Sequence, residues 1–212
     1  MKTIIINGSP RKDWNTAQMM RAAKEGAESA GAETEYIDLY DLNFTGCRSC
    51  LACKRKDAKR CHCYWHDDLS PLIDRIFSAD TLLIGSPIYF SEPTSQFRAL
   101  FERLLFSAHS YDDHSGCYDG KVNVGIFYTM NAPADYYEGI LRPKFQDHEN
   151  LFKRLNGEVR TYAACDTLQV KDYSRYSMAA FSEAAKKAVH EKQFPIDLKE
   201  AYRMGAELSR IN

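Results

Sequence analysis

Five of the seven cysteines in this 212-residue chain fall between positions 47 and 63, as Cys47-Arg-Ser-Cys50-Leu-Ala-Cys53 and then, after a basic loop, Cys61-His-Cys63. The first three thiolates sit on one tight loop, a spacing able to hold three corners of a cubane cluster while a fourth ligand arrives from farther along. Cys61 and Cys63 compete for that fourth place. The same cysteines also suit a structural zinc ion, or free thiols that hold nothing. An odd total leaves any disulfide framework incomplete, and in a reducing compartment dense cysteines are expected to be ligands or reactive groups. Between them Lys54, Arg55, Lys56, Lys59 and Arg60 form the strongest basic run in the chain. Such cations would stabilise the reduced form of an anionic cluster and dock an acidic electron carrier, or simply face solvent.

A second chemical signal is Gly8-Ser-Pro-Arg-Lys-Asp-Trp-Asn-Thr-Ala17, which follows an apolar strand and runs into a helix. Free backbone N–H groups at a helix start, with the short polar side chains of Ser9, Asn15 and Thr16 and the charge of Arg11, favour an anion. The spacing matches neither a P-loop nor a Gly-x-Gly-x-x-Gly dinucleotide fingerprint, so a mononucleotide phosphate is favoured. The plainer alternative is a polar loop in which Asn15 or Thr16 only caps the helix.

The third signal is Gly85-Ser-Pro-Ile-Tyr-Phe-Ser-Glu-Pro-Thr94. Tyr89 and Phe90 offer flat apolar surface of the kind an isoalloxazine ring needs, with backbone groups to meet its polar edge and Pro87 and Pro93 to stiffen the segment. Core burial of both aromatics is the competing reading.

These motifs, in this order over residues 1 to 105, resemble the flavodoxin-like NADPH-dependent FMN reductase superfamily. Within it they are similar to the iron–sulfur flavoproteins, where a compact Cys-x2-Cys-x2-Cys and a fourth cysteine precede an Asp-Asp pair, here Asp67-Asp68. The resemblance implies FMN as cofactor, with Ser9, Arg11, Asn15, Thr16 and Ala17 at its phosphate and Pro87, Ile88, Tyr89 and Phe90 at its ring. Thr129, Met130 and Asn131, after the fourth strand, form a third contact. It implies a [4Fe–4S] cluster on Cys47, Cys50, Cys53 and one of Cys61 and Cys63. The gap from Cys53 suits Cys61, and the distance to Asp67 suits Cys63. NAD(P)H or a reduced carrier would supply electrons to a small-molecule acceptor, quinone-like or other, or to a redox carrier protein. Flavin N5 would carry the chemistry without a catalytic side chain, in a homodimer or homotetramer. Alternatives are a non-enzymatic FMN and iron–sulfur carrier, a cluster-less NAD(P)H quinone or nitro reductase, and a zinc-stabilised interaction module. Asp13-Trp14 departs from the family pattern and is expected to bring a negative charge and a large ring near the phosphate.

The elements that must position these residues alternate strand and helix. Thr3 to Ile6 reads as a buried parallel strand, Asn15 to Ala30 as a helix, Glu35 to Leu39 as a strand, Leu69 to Phe77 as a helix and Thr81 to Ile84 as a strand. Pro93 is placed in the first turn of a helix whose stripe of Phe97, Leu100, Phe101, Leu104 and Leu105 is core or an interface. Strands over 122–128 and 158–164, a helix over 144–155 between them and one or two closing helices complete a doubly wound, five-stranded parallel sheet with helices on both faces. We expect one flavodoxin-like α/β domain over 1–212, with a cysteine-rich insertion around 44–66. His109, Asp112, Asp113, His114 and Cys117 read as a solvated loop, Cys117 and Cys165 as inert, and His148 and His190 as lying on polar helical stretches. With 28 Lys+Arg against 29 Asp+Glu, a dedicated nucleic-acid or membrane surface is not expected. The N-terminal segment lacks a signal-peptide or membrane-spanning pattern, so a cytoplasmic protein is expected.

Overall fold

Thr3, Ile4, Ile5 and Ile6 are fully buried in β1 (Lys2–Asn7), as a β-branched run covered on both faces must be. The computed structural model describes residues 1–210. After β1 come α1 (Asn15–Ser29), β2 (Glu33–Asp38), α2 (Leu69–Phe77), β3 (Thr81–Tyr89), β4 (Glu92–Pro93), α3 (Ser95–Ala108) and β5 (Val122–Thr129). A short α4 (Ala134–Tyr136) passes through a π-helical turn, Tyr137–Leu141, into α5 (Arg142–Phe152), and β6 (Asn156–Ala164) and α6 (Glu183–Leu208) follow. Five strands run parallel in the order β2-β1-β3-β5-β6. The winding direction therefore reverses between β1 and β3, and a crevice opens beyond their C-terminal ends.

Helices cover both faces. On one, Leu72, Ile73, Ile76, Phe97, Leu100, Leu104, Phe145 and Phe152 pack on Ile4, Ile6, Leu82, Ile84, Val124 and Ile126. On the other, Met19, Met20, Ala23, Phe194, Ala201 and Met204 pack on Ile5, Leu83 and Phe127. There α1 and α6 touch backbone to backbone: a Cβ at Gly205 would lie 2.1 Å from Ala23 O, and one at Gly26 would lie 1.9 Å from Tyr202 O. Only glycine permits that approach.

Several elements differ from the sequence expectation. β3 runs on to Tyr89 because Gly85, Ser86 and Pro87 pair with Phe127, Tyr128 and Thr129 of β5, so most of the expected ring loop is strand. The chain then turns back in a tight hairpin, Tyr89 opposite Glu92, which adds the two-residue antiparallel β4. Pro93 lies in β4 rather than in the helix, and Thr94 is the N-cap of α3, its hydroxyl accepting from Phe97 N at 3.3 Å. The apolar stripe of α3 is core, which removes it as an interface. His148 is buried among Phe97, Phe101 and Phe145 rather than on a polar face. Among the described residues no helix is long and apolar enough to cross a membrane.

Candidate functional site

The segments after β1, β5 and β6 meet the end of β3 at the C-terminal edge of the parallel strands. Ser9, Arg11, Asn15, Pro87, Ile88, Tyr89, Thr129, Met130 and Asn131 line one cleft of about 110 Å³, together with Trp14, Thr167 and Gln169. A wider groove of about 540 Å³ shares Arg11 and Trp14 with it and adds Lys12, Lys171 and Arg175.

One end of the cleft is built for an anion. Trp14 precedes α1 without a side-chain cap, and no acid stands in the first turn. The N–H groups that open a helix have no intrahelical acceptor, and the positive end of the helix dipole adds to them. Asn15 and Thr16 are not caps: Asn15 Nδ2 donates to Leu168 O at 2.9 Å, and the Thr16 and Thr129 hydroxyls bond to each other at 2.7 Å. Ser9 bends the loop, donating from N to Asn7 Oδ1 and accepting at Oγ from Arg11 N, each at 3.1 Å. Arg11 Nη1 donates to Gln169 O at 2.6 Å. Ala17 is fully buried and has only backbone to offer. The Asp13 carboxylate is 95% exposed and paired with Arg21 at 2.7 Å, which weakens its charge at the anion end. The Trp14 indole is held by its Nε1–H on Leu168 O at 3.1 Å.

The other end is formed by β3 and the residues after β5. Gly8 N donates to Gly85 O at 2.7 Å, an approach that a Cβ on Gly8, 2.7 Å from the same oxygen, would prevent. Thr94 Oγ1 donates to Gly8 O at 2.7 Å, and Thr94 N donates to Ser86 Oγ at 3.0 Å. Tyr89 stands half exposed at the cleft, its hydroxyl pKa raised by burial. Phe90 does not line the cleft: its ring is fully exposed, and it and Ser91 have φ of 49° and 66°. Two such values in succession are those of a type I′ hairpin, which glycine and asparagine adopt easily and a bulky residue adopts only at a cost of about 1–2 kcal/mol. Asn131 Nδ2 donates to Gln169 Oε1 at 3.1 Å, while Asn131 Oδ1 is buried without a partner.

The cysteine segment leans on the C-terminal half of α3. The Asp67-Asp68 pair closes its neck, Asp68 accepting from Asn43 N at 2.7 Å and Asp67 from Thr45 N at 3.3 Å. Lys54, first of the basic run, is only partly exposed. Its Nζ donates to Phe106 O and His109 O at the end of α3 and lies 4.4 Å from the Phe106 ring. Arg55, Lys56, Lys59 and Arg60 are exposed. Cys47, Cys50, Cys53 and Cys63 surround one small cavity with Trp65, Arg103 and Phe106. Among the described residues they do not converge on a geometry that would hold a single metal ion. Ser49 and Leu51, between the first three cysteines, have φ of 52° and 57°, and such turns can aim backbone N–H groups into concavities that suit anionic groups. Burial raises the Cys53 thiol, opposed by Lys54 and reinforced by Cys63, Cys50 and Cys47. Cys61 is absent from this cavity: its Sγ donates to Cys117 O at 3.5 Å, and burial, with Cys117 close by, pushes its pKa to about 12.

The residue that sequence reasoning passed over is Arg103. It stands inside the apolar stripe of α3 and is 2% exposed. Nε and Nη2 both donate to Cys63 Sγ at 3.3 Å, Nη1 to Asp67 Oδ2 at 2.5 Å and Thr45 O at 3.1 Å, and Nη2 also to Ser70 Oγ at 2.7 Å and Trp65 O at 3.2 Å. Burial alone would raise the Asp67 pKa; this ion pair and two backbone N–H bonds outweigh it and hold the carboxyl below its usual range. The segment after β6 was also missed, and Thr167 and Gln169 line the cleft from there. The signal available was topological, since loops following every strand beside the crevice reach it. A larger cavity, about 760 Å³, lies elsewhere, between β6 and α6, and takes in Tyr162, Cys165 and Asp197 but none of the residues expected at the site.

The sequence profile of the family described as NADPH-dependent FMN reductase matches residues 1–135. An iron-sulfur flavoprotein of Methanocaldococcus jannaschii is 35% identical over 103 residues, 49% of this chain and 51% of that protein. Another, of Methanosarcina thermophila, is 32% identical over 103 residues, 49% of this chain and 52% of that protein. The chain thus spans about half the length of the curated relatives it matches. Among solved structures, an NAD(P)H:quinone oxidoreductase from Methanothermobacter marburgensis superposes with a TM-score of 0.73 at 19% identity, covering 98% of both chains, a likeness of fold.

Proposed function

Because the chain belongs to the NADPH-dependent FMN reductase family, we propose that it is an FMN-dependent oxidoreductase of the iron–sulfur flavoprotein type. It would move electrons from NAD(P)H or a reduced carrier to a quinone-like or other acceptor. The observation that carries this reading is the meeting of three motifs, far apart in sequence, on one cleft beyond the ends of β1, β3 and β5.

The cleft fits FMN by its donors and acceptors. The phosphate would take the free N–H groups at the start of α1 with Ser9 and Arg11, and the ring would lie along Pro87, Ile88 and Tyr89 and the Thr129–Asn131 segment. The unpartnered Asn131 Oδ1 is an acceptor in need of a donor. Bound there, FMN supplies the hydride- and electron-accepting chemistry. The protein's part is to anchor, orient and shield, with no side chain required as acid or base. The groove beside the cleft, where Arg11, Lys12, Lys171 and Arg175 outnumber Asp13 and Asp172, suits the phosphates of a nicotinamide nucleotide.

The donor set around the cysteine cavity, Cys47, Cys50, Cys53 and Cys63, is that of a [4Fe–4S] cluster. The support is the four thiols around one space, the left-handed turns among them and the buried cation at Cys63. The names of the half-length relatives agree with it. A homodimer or homotetramer belongs to the same proposal.

Anaerobic purification followed by assays of FMN, iron and acid-labile sulfide tests both sites. The expected result is all three, with NAD(P)H bleaching the flavin absorbance. Absence of flavin after reconstitution sinks the reading. Flavin that only a reduced carrier bleaches moves the protein to the electron-carrier class.

A further inference from the structure

We propose that Arg103 is a positioning residue for the cluster site, fixing Cys63 as the fourth ligand and raising the reduction potential of the group held there. The inference rests on the reading of the cysteine cavity given above.

A guanidinium on the inward stripe of a core helix is costly unless every charge and N–H is met. Arg103 meets this condition in an unequal way. Asp67, Thr45 O, Ser70 and Trp65 O use Nη1 and part of Nη2, whereas Nε and Nη2 together close on a single sulfur, each at 3.3 Å. A neutral thiol is a weak acceptor, so a two-armed donation from a buried cation sets Cys63 apart from a spare cysteine and suits a sulfur that is to hold metal. Cys61 has no such partner. Its sulfur turns to the carbonyl of Cys117 instead.

The consequence is electrostatic. A four-thiolate cluster is anionic and gains a further negative charge on reduction, so hydrogen bonds and positive charge at one of its sulfurs favour the reduced form. Asp67 works against this, because it partly neutralises the same guanidinium from the far side at 2.5 Å. Arg103 and Asp67 therefore act on the potential with opposite signs, although both tie the same loop to the same helix.

That opposition separates tuning from a merely structural role. Arg103→Lys keeps the charge and loses the fork; Asp67→Asn keeps the fork and removes the compensating charge. Both variants and the parent protein are prepared anaerobically, checked for fold by circular dichroism and for flavin and iron content, and titrated potentiometrically with EPR detection of the reduced cluster. The expected result is a downward shift of the midpoint in Arg103→Lys and an upward shift in Asp67→Asn, with Cys63→Ser losing the four-iron signal and Cys61→Ser retaining it. An Arg103→Lys protein that keeps flavin and fold but loses the cluster also supports the positioning role. A retained cluster with an unmoved midpoint in Arg103→Lys, shifts of the same sign in both variants, or a four-iron signal lost in Cys61→Ser and kept in Cys63→Ser would overturn it. Iron-free parent protein overturns the reading beneath it, and is recognised as such before any variant is compared.

Discussion

The Thr94 hydroxyl joins the two halves of the cleft, donating to Gly8 O at 2.7 Å while accepting from Phe97 N as the cap of α3. One oxygen thus ties the loop after β1 to the helix after β4. Thr94→Ala loses a cap and a buried hydrogen bond, together about 2 kcal/mol in denaturant unfolding. It should also weaken FMN binding, since the two cleft walls lose their shared anchor. Thr94→Ser should restore both, and equal FMN affinity in the alanine and serine variants would refute the link.

Arg11 reaches the cleft from the anion end and is fixed there by Gln169 O. Arg11→Ala should raise the FMN Kd roughly tenfold to a hundredfold, the range of a hydrogen bond to a charged group. Riboflavin, which lacks the phosphate, should bind parent and variant alike. Fluorescence titration of both flavins checks the difference, and equal losses for the two would place Arg11 at the ring rather than at the phosphate.

Much of the cleft was legible because βα loops beside the crevice carry function in a predictable place. Gly8 to Ala17 and Gly85 to Tyr89 announced themselves by composition. The wall formed by Thr167 and Gln169 did not, because its ties to Trp14, Asn15 and Arg11 span more than 150 residues and follow from strand order, which the local pattern does not contain. Arg103 was hidden for a different reason. A single charge inside an apolar stripe looks like the edge of a helical face until its partners from 45 to 70 are brought in by the fold. The far end of β3 was misread because Gly and Pro signal a turn, whereas here parallel pairing with β5 carries the strand through them. Phe90 shows the same limit, since an aromatic beside a binding loop gives no sign of which way the hairpin will turn it.

His148 sits between Arg98 Nη1, 3.2 Å from its Nε2, and the Tyr128 hydroxyl, 3.2 Å from its Nδ1. Arginine can only donate, so Nε2 accepts, and the neutral ring carries its proton on Nδ1. Burial, with Arg98 nearby, lowers the His148 pKa from the ordinary value of 6.5. In the window between that value and the lowered one, the unfolded chain binds more protons, so stability is present above about pH 6.5 and declines as pH falls below it. Thermal melts from pH 8 to 5 should show this decline, and His148→Phe should flatten it relative to its own value at pH 8. An unchanged slope would assign the acid sensitivity to other groups.

Phe90 combines a left-handed backbone with a fully exposed ring, so it gains nothing from burial to offset its strain. Phe90→Gly should therefore stabilise the protein by up to about 1 kcal/mol, after allowing for the extra freedom glycine has when unfolded. FMN affinity should stay unchanged, while turnover with bulky acceptors should fall if the exposed ring meets them at the cleft mouth. Denaturant midpoints and acceptor kinetics on one preparation read both effects, and a destabilised variant would contradict the strain.

Because Thr94 anchors the cleft at one end of α3 and Arg103 and Phe106 face the cysteine cavity near the other, the gap between the two sites is counted in residues of a single rod. At 1.5 Å per residue the step along the axis is about 15 Å. An insertion of one turn would lengthen it by about 5.4 Å and a deletion would shorten it equally, each leaving the cavity on nearly the same face of the rod. The residue count of α3 therefore sets how far apart the cleft and the cysteine cavity stand along it.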